Sequence, residues 1–318
     1  MRRFLQNLHS LEAYGLSLLL VLEGSAQITL RSDLVLVPVT VRDRQGRLVR
    51  DLTQEDFEVF DNGRKQPIAF FSREPASGML SRPLVMSVLL DASGSAAATW
   101  HAQASALRSL LRWLGPEIRA HLLRFHERPE SLTEGFTTDK ALLERVLERH
   151  HPVWRQTAIF DALFFAFQQL AMVPEGHVRK VALLITDGLD TASTVSPDQC
   201  LRVAEATGIT LYVIIIPIYV PVEGRLRPRP IAPGLAEIAR RTGGRLIFAG
   251  DVRQILDPRA TLDLTPVLQD IVEELWNQYY IGYYAPTSPG GTRHRIQVRV
   301  RRRGLRVEVA RQTYISRE

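Results

Sequence analysis

The sequence predicts an α/β fold: a doubly wound, mostly parallel sheet inserted between N- and C-terminal β segments that form a small β-sandwich. Between residues 81 and 278, continuous apolar runs such as LVMSVLL (84–90) and VRKVALLIT (178–186) alternate with segments of helical periodicity. This order is typical of a parallel sheet covered by helices. On both sides of that stretch, apolar and polar residues alternate one by one, as they do in half-buried strands.

The composition is that of a globular protein. Of 318 residues, 45% are hydrophobic and 23% are charged, and this length suggests about two domains. The net charge is +6. Many arginines lie at 293–311, where they alternate with apolar residues, so we interpret them as the solvated face of strands and not as a nucleic-acid surface. The single cysteine, Cys200, excludes an internal disulfide and a cysteine-based metal site.

Residues 1–27 have the features of an export segment. Arg2 and Arg3 precede the apolar stretch GLSLLLVL (15–22), and small residues near Ala26 offer a cleavage site. The stretch is too short for a transmembrane helix, which needs about 20 apolar residues. We therefore predict export to the periplasm, the cell envelope or the medium. A buried or amphipathic N-terminal helix is the alternative.

The two β segments are 28–80 and 279–318. The first contains Asp61-Asn62-Gly63 between two apolar runs, which is a strong signal for a β-hairpin. Neither segment has enough strands to bury a sheet face by itself, so we predict that both pair into one sandwich.

The α/β domain is predicted to cover 81–278. Its helices are expected at 102–114, 141–150, 157–171, 196–208, 234–244 and 265–278, and its further strands at 118–125, 209–216 and 245–250. Ser196 and Gly208 have the residue types preferred at the start and the end of a helix. The proline-rich stretch 219–234 is predicted to be a long exposed loop.

Oxygen-bearing side chains follow the buried strands. Asp91, Ser93 and Ser95 lie in DASGS after the first strand, Asp187 follows VRKVALLIT, and Thr157 stands at the start of a predicted helix. In open α/β sheets, ligands bind at the carboxyl ends of the strands. In an extended loop every second side chain points the same way, so the first three oxygens converge. Carboxylates and hydroxyls without His or Cys suit Mg²⁺, Mn²⁺ or Ca²⁺.

Each of these groups also has a simpler interpretation. DASGS and Asp187-Gly188 are composed of common turn residues. Thr157 is a suitable N-cap for the following helix. Asp190 is either an outer-shell group of a metal site or a solvated side chain.

The constellation resembles the von Willebrand factor type A domain with its metal-ion-dependent adhesion site (MIDAS). That family has Asp-x-Ser-x-Ser after the first strand, a Thr on a second loop and an Asp in a strand-end loop, and Asp91, Ser93, Ser95, Thr157 and Asp187 match these positions. The resemblance implies that these five residues bind the metal, directly or through water. The flanking β segments resemble a group of exported bacterial proteins, well represented in Acidobacteria, that carry a related domain.

The expected function is therefore divalent-metal-dependent protein binding in adhesion or assembly. Mg²⁺ is the expected cation, with Mn²⁺ or Ca²⁺ as alternatives. An open coordination position would engage an Asp or Glu of a protein partner. Association with the cell envelope is expected, whereas a nucleic-acid partner and a small-molecule substrate are not.

Two other functions stay open at this point. In the first, the chain is a structural envelope protein whose metal only stabilises the fold. In the second, it is a metal-dependent phosphoryl-transfer enzyme. The sequence has no Gly-x-Ser-x-Gly nucleophile elbow and no P-loop, so we predict that the protein is not an enzyme.

Overall fold

A computed structural model describes residues 34–73, 83–113, 115, 118–149, 151–174, 178–256, 262–310 and 312–316. The predicted export segment, 1–27, lies outside these residues. One compact unit extends over Asp33–Glu318.

The strands are β1 (Leu34–Arg42), β2 (Phe57–Asp61), β3 (Arg64–Gln66), β4 (Phe70–Arg73), β5 (Leu84–Asp91), β6 (Arg119–Phe125), β7 (Pro129–Ser131), β8 (Arg179–Thr186), β9 (Ile209–Ile215), β10 (Tyr219–Val222), β11 (Arg225–Pro228), β12 (Leu246–Phe248), β13 (Tyr279–Tyr284), β14 (Arg293–Val300), β15 (Arg306–Val309) and β16 (Thr313–Ile315). The α-helices are α1 (Trp100–Trp113), α2 (Lys140–Arg149), α3 (Ile159–Met172), α4 (Pro197–Thr207), α5 (Leu235–Arg241), α6 (Val252–Leu256) and α7 (Thr265–Trp276). Short 3₁₀ helices form at Gln54–Asp56 and Ala97–Thr99.

The central sheet has the strand order β12-β9-β8-β5-β6-β7. All its neighbours are parallel except β7, which pairs antiparallel with β6 at the edge. The six helices predicted here are present, and their ends lie within three residues of the predicted ones. The sequence did not predict α6 or β7.

The two middle strands explain why the sheet is doubly wound. Every residue of β5 and β8 is buried, and such strands have apolar residues on both faces. Met86, Val88 and Leu90 pack into a core with α1 and α7. Val85 and Leu89 face the other side and pack with α3, α4 and α5. The sheet is therefore covered by helices on both faces, as the sequence predicts.

The N- and C-terminal strands form two antiparallel sheets, β15-β1-β13-β4 and β16-β14-β2-β3. Side chains from both sheets, among them Val37, Val59, Tyr283 and Val298, make one shared apolar core. The predicted sandwich is thus confirmed, and each of its sheets contains strands from both ends of the chain.

The hairpin predicted at Asn62-Gly63 is present. Both residues have positive φ, 46° and 80°, as a type I′ turn requires. The run that follows does not continue as one strand: β3 pairs with β2 in one sheet and β4 pairs with β13 in the other. Pro67 lies between β3 and β4, and proline cannot donate a ladder hydrogen bond.

The prediction of a long loop at 219–234 is wrong in part. The stretch is exposed, but β10 and β11 form an antiparallel hairpin within it. Glu223 and Gly224 at its turn both have positive φ. The prolines at 221 and 228 obscured the strand signal, although a two-stranded ribbon tolerates proline on its outer edges. Within the described ranges, no helix combines the length and apolar character needed to cross a bilayer.

Candidate metal centre

Three loops meet at the carboxyl edge of the central sheet. The loop after β5 contains DASGS, the loop after β8 begins with Asp187, and the third loop joins α2 to α3. The backbone N–H of Val153 in the third loop donates to the Ala92 carbonyl at 2.8 Å. The N–H of Thr191, from the loop after β8, donates to the Thr157 carbonyl at 2.8 Å. These bonds hold the loops that carry the predicted ligands against one another.

Asp91 ends β5 and is fully buried. Its Oδ1 accepts the Ser93 backbone N–H at 3.0 Å, and its Oδ2 accepts the Thr186 hydroxyl at 2.6 Å. Burial, followed by the charge of Asp187, raises the pKa of Asp91 to about 6. These two hydrogen bonds oppose the rise. The site therefore contains a carboxylate that is destabilised by its surroundings when charged.

The two serines of DASGS place their hydroxyls side by side. Ser93 Oγ lies 3.2 Å from Ser95 Oγ, and Ser93 is buried whereas Ser95 is exposed. Ser93 therefore bonds to another hydroxyl and not to a base. Because the two oxygens point to the same region, they meet the expectation drawn from alternation along the loop.

Asp187 has one oxygen without a partner. Its Oδ1 accepts the Leu189 backbone N–H at 2.9 Å. Its Oδ2 is buried and makes no hydrogen bond within the described part of the chain. The turn interpretation of Asp187-Gly188 is correct as far as the backbone goes, because Gly188 has a φ of 87°. A turn does not account for the free oxygen, and buried polar atoms normally have a partner.

Thr157 does not cap α3. The α3 N-terminus has no side-chain cap from its own segment. Instead, Asp190 Oδ1 accepts the Ile159 N–H at 2.7 Å, and Ser193 Oγ accepts the Phe160 N–H at 2.9 Å. The Thr157 side chain is buried and its hydroxyl makes no hydrogen bond with the described residues. It is thereby left available to a ligand.

Asp190 makes hydrogen bonds that stabilise the fold. Besides the α3 N–H group, its Oδ1 accepts the Ser193 hydroxyl at 2.6 Å. Asp190 thus replaces the missing N-cap of α3 from another loop, a role favoured by the positive end of the helix dipole. Sequence reasoning considered only an outer-shell or a solvated Asp190, because capping by a residue 31 positions away leaves no local signal.

Three supporting residues were also missed. Thr186 bonds to the Asp91 carboxylate, and the buried Gln103 donates to the Asp91 carbonyl at 3.3 Å. Thr191 accepts the Thr157 N–H at 3.0 Å. Thr186 alone had a usable signal, as a hydroxyl next to a candidate ligand at a strand end.

Metal sites built from carboxylates and imidazoles do not occur in the described ranges: no three His, Cys, Asp or Glu side chains are grouped as such a site requires. The centre at the sheet edge has two carboxylates, and its other oxygens are hydroxyls. Carboxylate and hydroxyl oxygens are the donors that hard cations prefer.

A sequence profile described as the von Willebrand factor type A domain matches residues 86–189. The match includes both aspartates of the centre and all three hydroxyl residues. The chain contains a von Willebrand factor type A domain. A search of curated protein sequences found no match.

Three solved structures are similar to this chain at low sequence identity. A von Willebrand factor type A protein from Catenulispora acidiphila superposes with a TM-score of 0.50 at 13% identity, covering 83% of this chain and 74% of that one. BatB from Bacteroides thetaiotaomicron has a TM-score of 0.46 at 17% identity, covering 60% of this chain and 97% of its own. Proximal thread matrix protein 1 from the mussel byssus, described with a zinc-occupied MIDAS motif, has a TM-score of 0.47 at 16% identity, covering 65% and 48%.

Proposed function

We propose that the von Willebrand factor type A domain of this chain is a divalent-metal-dependent protein-binding module, with Asp91, Ser93, Ser95, Thr157 and Asp187 as the metal ligands. The unpaired, buried Asp187 Oδ2 beside the buried Asp91 carboxylate carries the proposal. Two carboxylates withdrawn from water repel each other and lose hydration. A bound divalent cation would neutralise both and give the free oxygen a partner.

An open coordination position supports a role in binding. Mg²⁺ requires six ligands in octahedral geometry, and five side chains cannot complete that shell. The exposed side of the centre is formed by Ser95, since the other four proposed ligands are buried. A carboxylate of a partner protein approaching from this side would add both a ligand and a negative charge. We therefore propose that the partner presents an Asp or Glu.

The proposed cation is Mg²⁺. The donors are carboxylate and hydroxyl oxygens, which favour Mg²⁺, Mn²⁺ and Ca²⁺. Zinc prefers sulfur and imidazole nitrogen, and neither occurs among the five residues.

The rival functions differ in what the metal would do. In a structural envelope protein the metal would stabilise the fold without recruiting a partner. A phosphoryl-transfer enzyme would need a phosphate-binding lysine or a base at the centre. No lysine is among the five proposed ligands, and the Ser93 hydroxyl bonds to the Ser95 hydroxyl and not to a base. Because von Willebrand factor type A domains are mainly interaction modules, we favour binding over both alternatives.

We also propose that the chain is exported. The support is the sequence of residues 1–27, with two arginines before an apolar stretch and small residues after it. Fractionation of cells producing the full chain, with mass spectrometry of its N-terminus, tests this. Export predicts a mature terminus near residue 27 in the envelope or medium fraction; an intact Met1 in the cytosol would contradict it.

Metal binding is tested by thermal unfolding in EDTA and with added Mg²⁺, Mn²⁺, Ca²⁺ or Zn²⁺. For wild type, a cation at about 100 times its Kd stabilises the folded state by about 2.7 kcal/mol. We expect Asp91→Ala to abolish this gain. The matched control is Asp198→Asn, because Asp198 is an exposed carboxylate at the start of α4 and its loss should leave the gain unchanged. Equal gains in wild type and Asp91→Ala would contradict the metal assignment.

Binding to an acidic residue is tested with immobilised wild type and a random peptide library. Selection in Mg²⁺ should enrich peptides that contain Asp or Glu, and EDTA should release them. A metal that raises the melting temperature but enriches no acidic peptide would instead favour the structural role.

A further inference from the structure

An exposed tryptophan lies beside the proposed metal centre. Trp154, in the loop between α2 and α3, has 88% of its surface exposed. Single exposed apolar side chains are common on protein surfaces, so it is the position of Trp154 beside the proposed centre that makes it a candidate contact for a partner.

The backbone around Trp154 is held in place. On one side, the Val153 N–H donates to the Ala92 carbonyl at 2.8 Å; on the other, the Arg155 carbonyl accepts the Gly94 N–H at 3.3 Å. Both partners belong to the DASGS loop. Trp154 is therefore fixed to the loop that supplies three proposed ligands, while its side chain stays in solvent. An aromatic side chain has few rotatable bonds, so ordering it on binding costs little conformational entropy.

One edge of the ring approaches Gly94 closely. A Cβ on Gly94 would lie 3.0 Å from Trp154 Cε3, which is closer than ordinary van der Waals contact. Gly94 thus lets the indole lie directly on the DASGS loop, between Ser93 and Ser95. The ring is consequently adjacent to two of the proposed ligands.

An open groove of about 740 Å³ connects the ring with the centre, and it is lined by Gly94, Ser95, Glu127, Trp154, Arg155 and Gln156. The two charged residues of the lining, Arg155 and Glu127, form an ion pair. Because they neutralise each other, the groove offers a partner mainly the indole face and the oxygen edge at Ser95.

Resting on the proposed function, we infer that the partner segment carries an aromatic or prolyl ring within three residues of its metal-binding Asp or Glu, and that this ring packs on Trp154. An extended segment advances about 3.3 Å per residue, so a side chain two or three positions from the acidic residue reaches a ring in contact with the DASGS loop. Indole faces pack favourably against such rings. Tryptophans that become buried when a partner binds are frequent hot spots of protein interfaces.

The test selects a random peptide phage library in Mg²⁺ on the full-length chain, with wild type, Trp154→Ala and Asp91→Ala as separate targets. Wild type should enrich peptides with Asp or Glu followed or preceded by Pro, Phe, Tyr or Trp within three positions. Peptides selected on Trp154→Ala should still contain the acidic residue but show no preference for a ring. Peptides selected on Asp91→Ala should show no preference for an acidic residue.

The outcomes separate the two proposals. Acidic peptides without a ring preference on wild type would overturn this inference and leave the proposed function intact. No enrichment of acidic peptides on wild type would overturn the proposed function, and this inference with it. A wild-type dimer in sedimentation velocity that becomes a monomer in Trp154→Ala would show that a second copy of the chain covers the ring, which also overturns the inference.

A synthetic copy of the most enriched wild-type peptide gives the quantitative test. We expect Trp154→Ala to weaken its binding about 30-fold, as for an interface hot spot, and Trp154→Phe to weaken it less because a ring remains. The matched control is Met172→Ala: Met172 is 74% exposed and ends α3, away from the centre. Unchanged melting temperatures would show that all three variants fold. Equal peptide affinities for wild type and Trp154→Ala would refute the inference.

Discussion

At the residue scale, two aspartates of one loop have opposite environments. Asp190 bonds to the first N–H group of α3 and to Ser193. Asp187, three positions earlier, keeps one buried oxygen without a partner and faces the charge of Asp91. Asp190 therefore stabilises the folded chain without a metal, whereas Asp187 is expected to stabilise it only when a cation is bound.

This difference predicts that removing the charge of Asp187 and removing that of Asp190 change thermal stability in opposite directions. In EDTA, Asp187→Asn should raise the melting temperature, because it removes the charge that opposes ionisation of Asp91. The same variant should lose the stabilisation by Mg²⁺. Asp190→Ala should lower stability by about 1 kcal/mol, as expected for a lost N-cap, and retain the Mg²⁺ response. Thermal unfolding of both variants with and without Mg²⁺ measures these effects. A Mg²⁺ response that disappears only in Asp190→Ala would reverse the two roles.

At the scale of secondary-structure elements, the middle strands of the central sheet form the core, whereas the β10–β11 hairpin lies on the surface. Every residue of β5 and β8 is buried. The β10–β11 hairpin, by contrast, has no buried residue, and all four residues of β11 are exposed. The hairpin's backbone hydrogen bonds are made within the hairpin, so the central sheet does not depend on it.

We therefore expect the hairpin to be dispensable for folding. Replacing residues 220–228 with a short Gly-Ser linker should change the free energy of unfolding by less than about 1 kcal/mol, because no buried apolar surface is lost. Denaturant unfolding followed by circular dichroism measures this. A control replacement of Tyr212 by Ala in β9, where the side chain is fully buried, should cost several times more. A comparable loss in both variants would show that the hairpin contributes to the core.

At the scale of the whole molecule, the sandwich and the α/β part share a buried ionic cluster. Glu274 of α7 is fully buried. Its Oε2 lies 2.6 Å from Arg42 Nη2 of β1 and 2.7 Å from Arg245 Nη2, and its Oε1 accepts the Tyr212 hydroxyl at 2.9 Å. Removing one member of a buried ion pair is costly, because it leaves the remaining charge without full compensation. The cluster therefore links the two parts into one compact unit.

Close backbone packing between the α/β part and the sandwich also supports their forming one unit. A Cβ on Gly243 would lie 1.7 Å from the Ala310 Cα, so the segment after α5 approaches the C-terminal β segment without room for a side chain. The α/β part and the sandwich are thus expected to unfold together.

Glu274→Gln should lower the free energy of unfolding by about 3 kcal/mol. The matched control is the neighbouring Glu273→Gln, because Glu273 is about half exposed and pairs with an equally exposed Arg50. Such surface pairs contribute less than about 1 kcal/mol. Chemical denaturation followed by fluorescence and circular dichroism measures both. Equal effects of the two substitutions would mean that the buried cluster does not hold the parts together.

The sequence by itself determined the fold class and the order of the main helices and strands, but not α6, β7 or the β10–β11 hairpin. Buried parallel strands appear as continuous apolar runs, amphipathic helices have a regular period, and the Asn62-Gly63 turn and the Ser196 N-cap depend on neighbours in the chain. It also indicated which loop residues to consider as metal ligands, and that assignment stays a prediction. Only the tertiary structure decided that β3 and β4 enter different sheets, that Asp190 caps α3, and that Trp154 is exposed beside the centre. These features arise from contacts between residues distant in the chain, and no local pattern encodes such contacts.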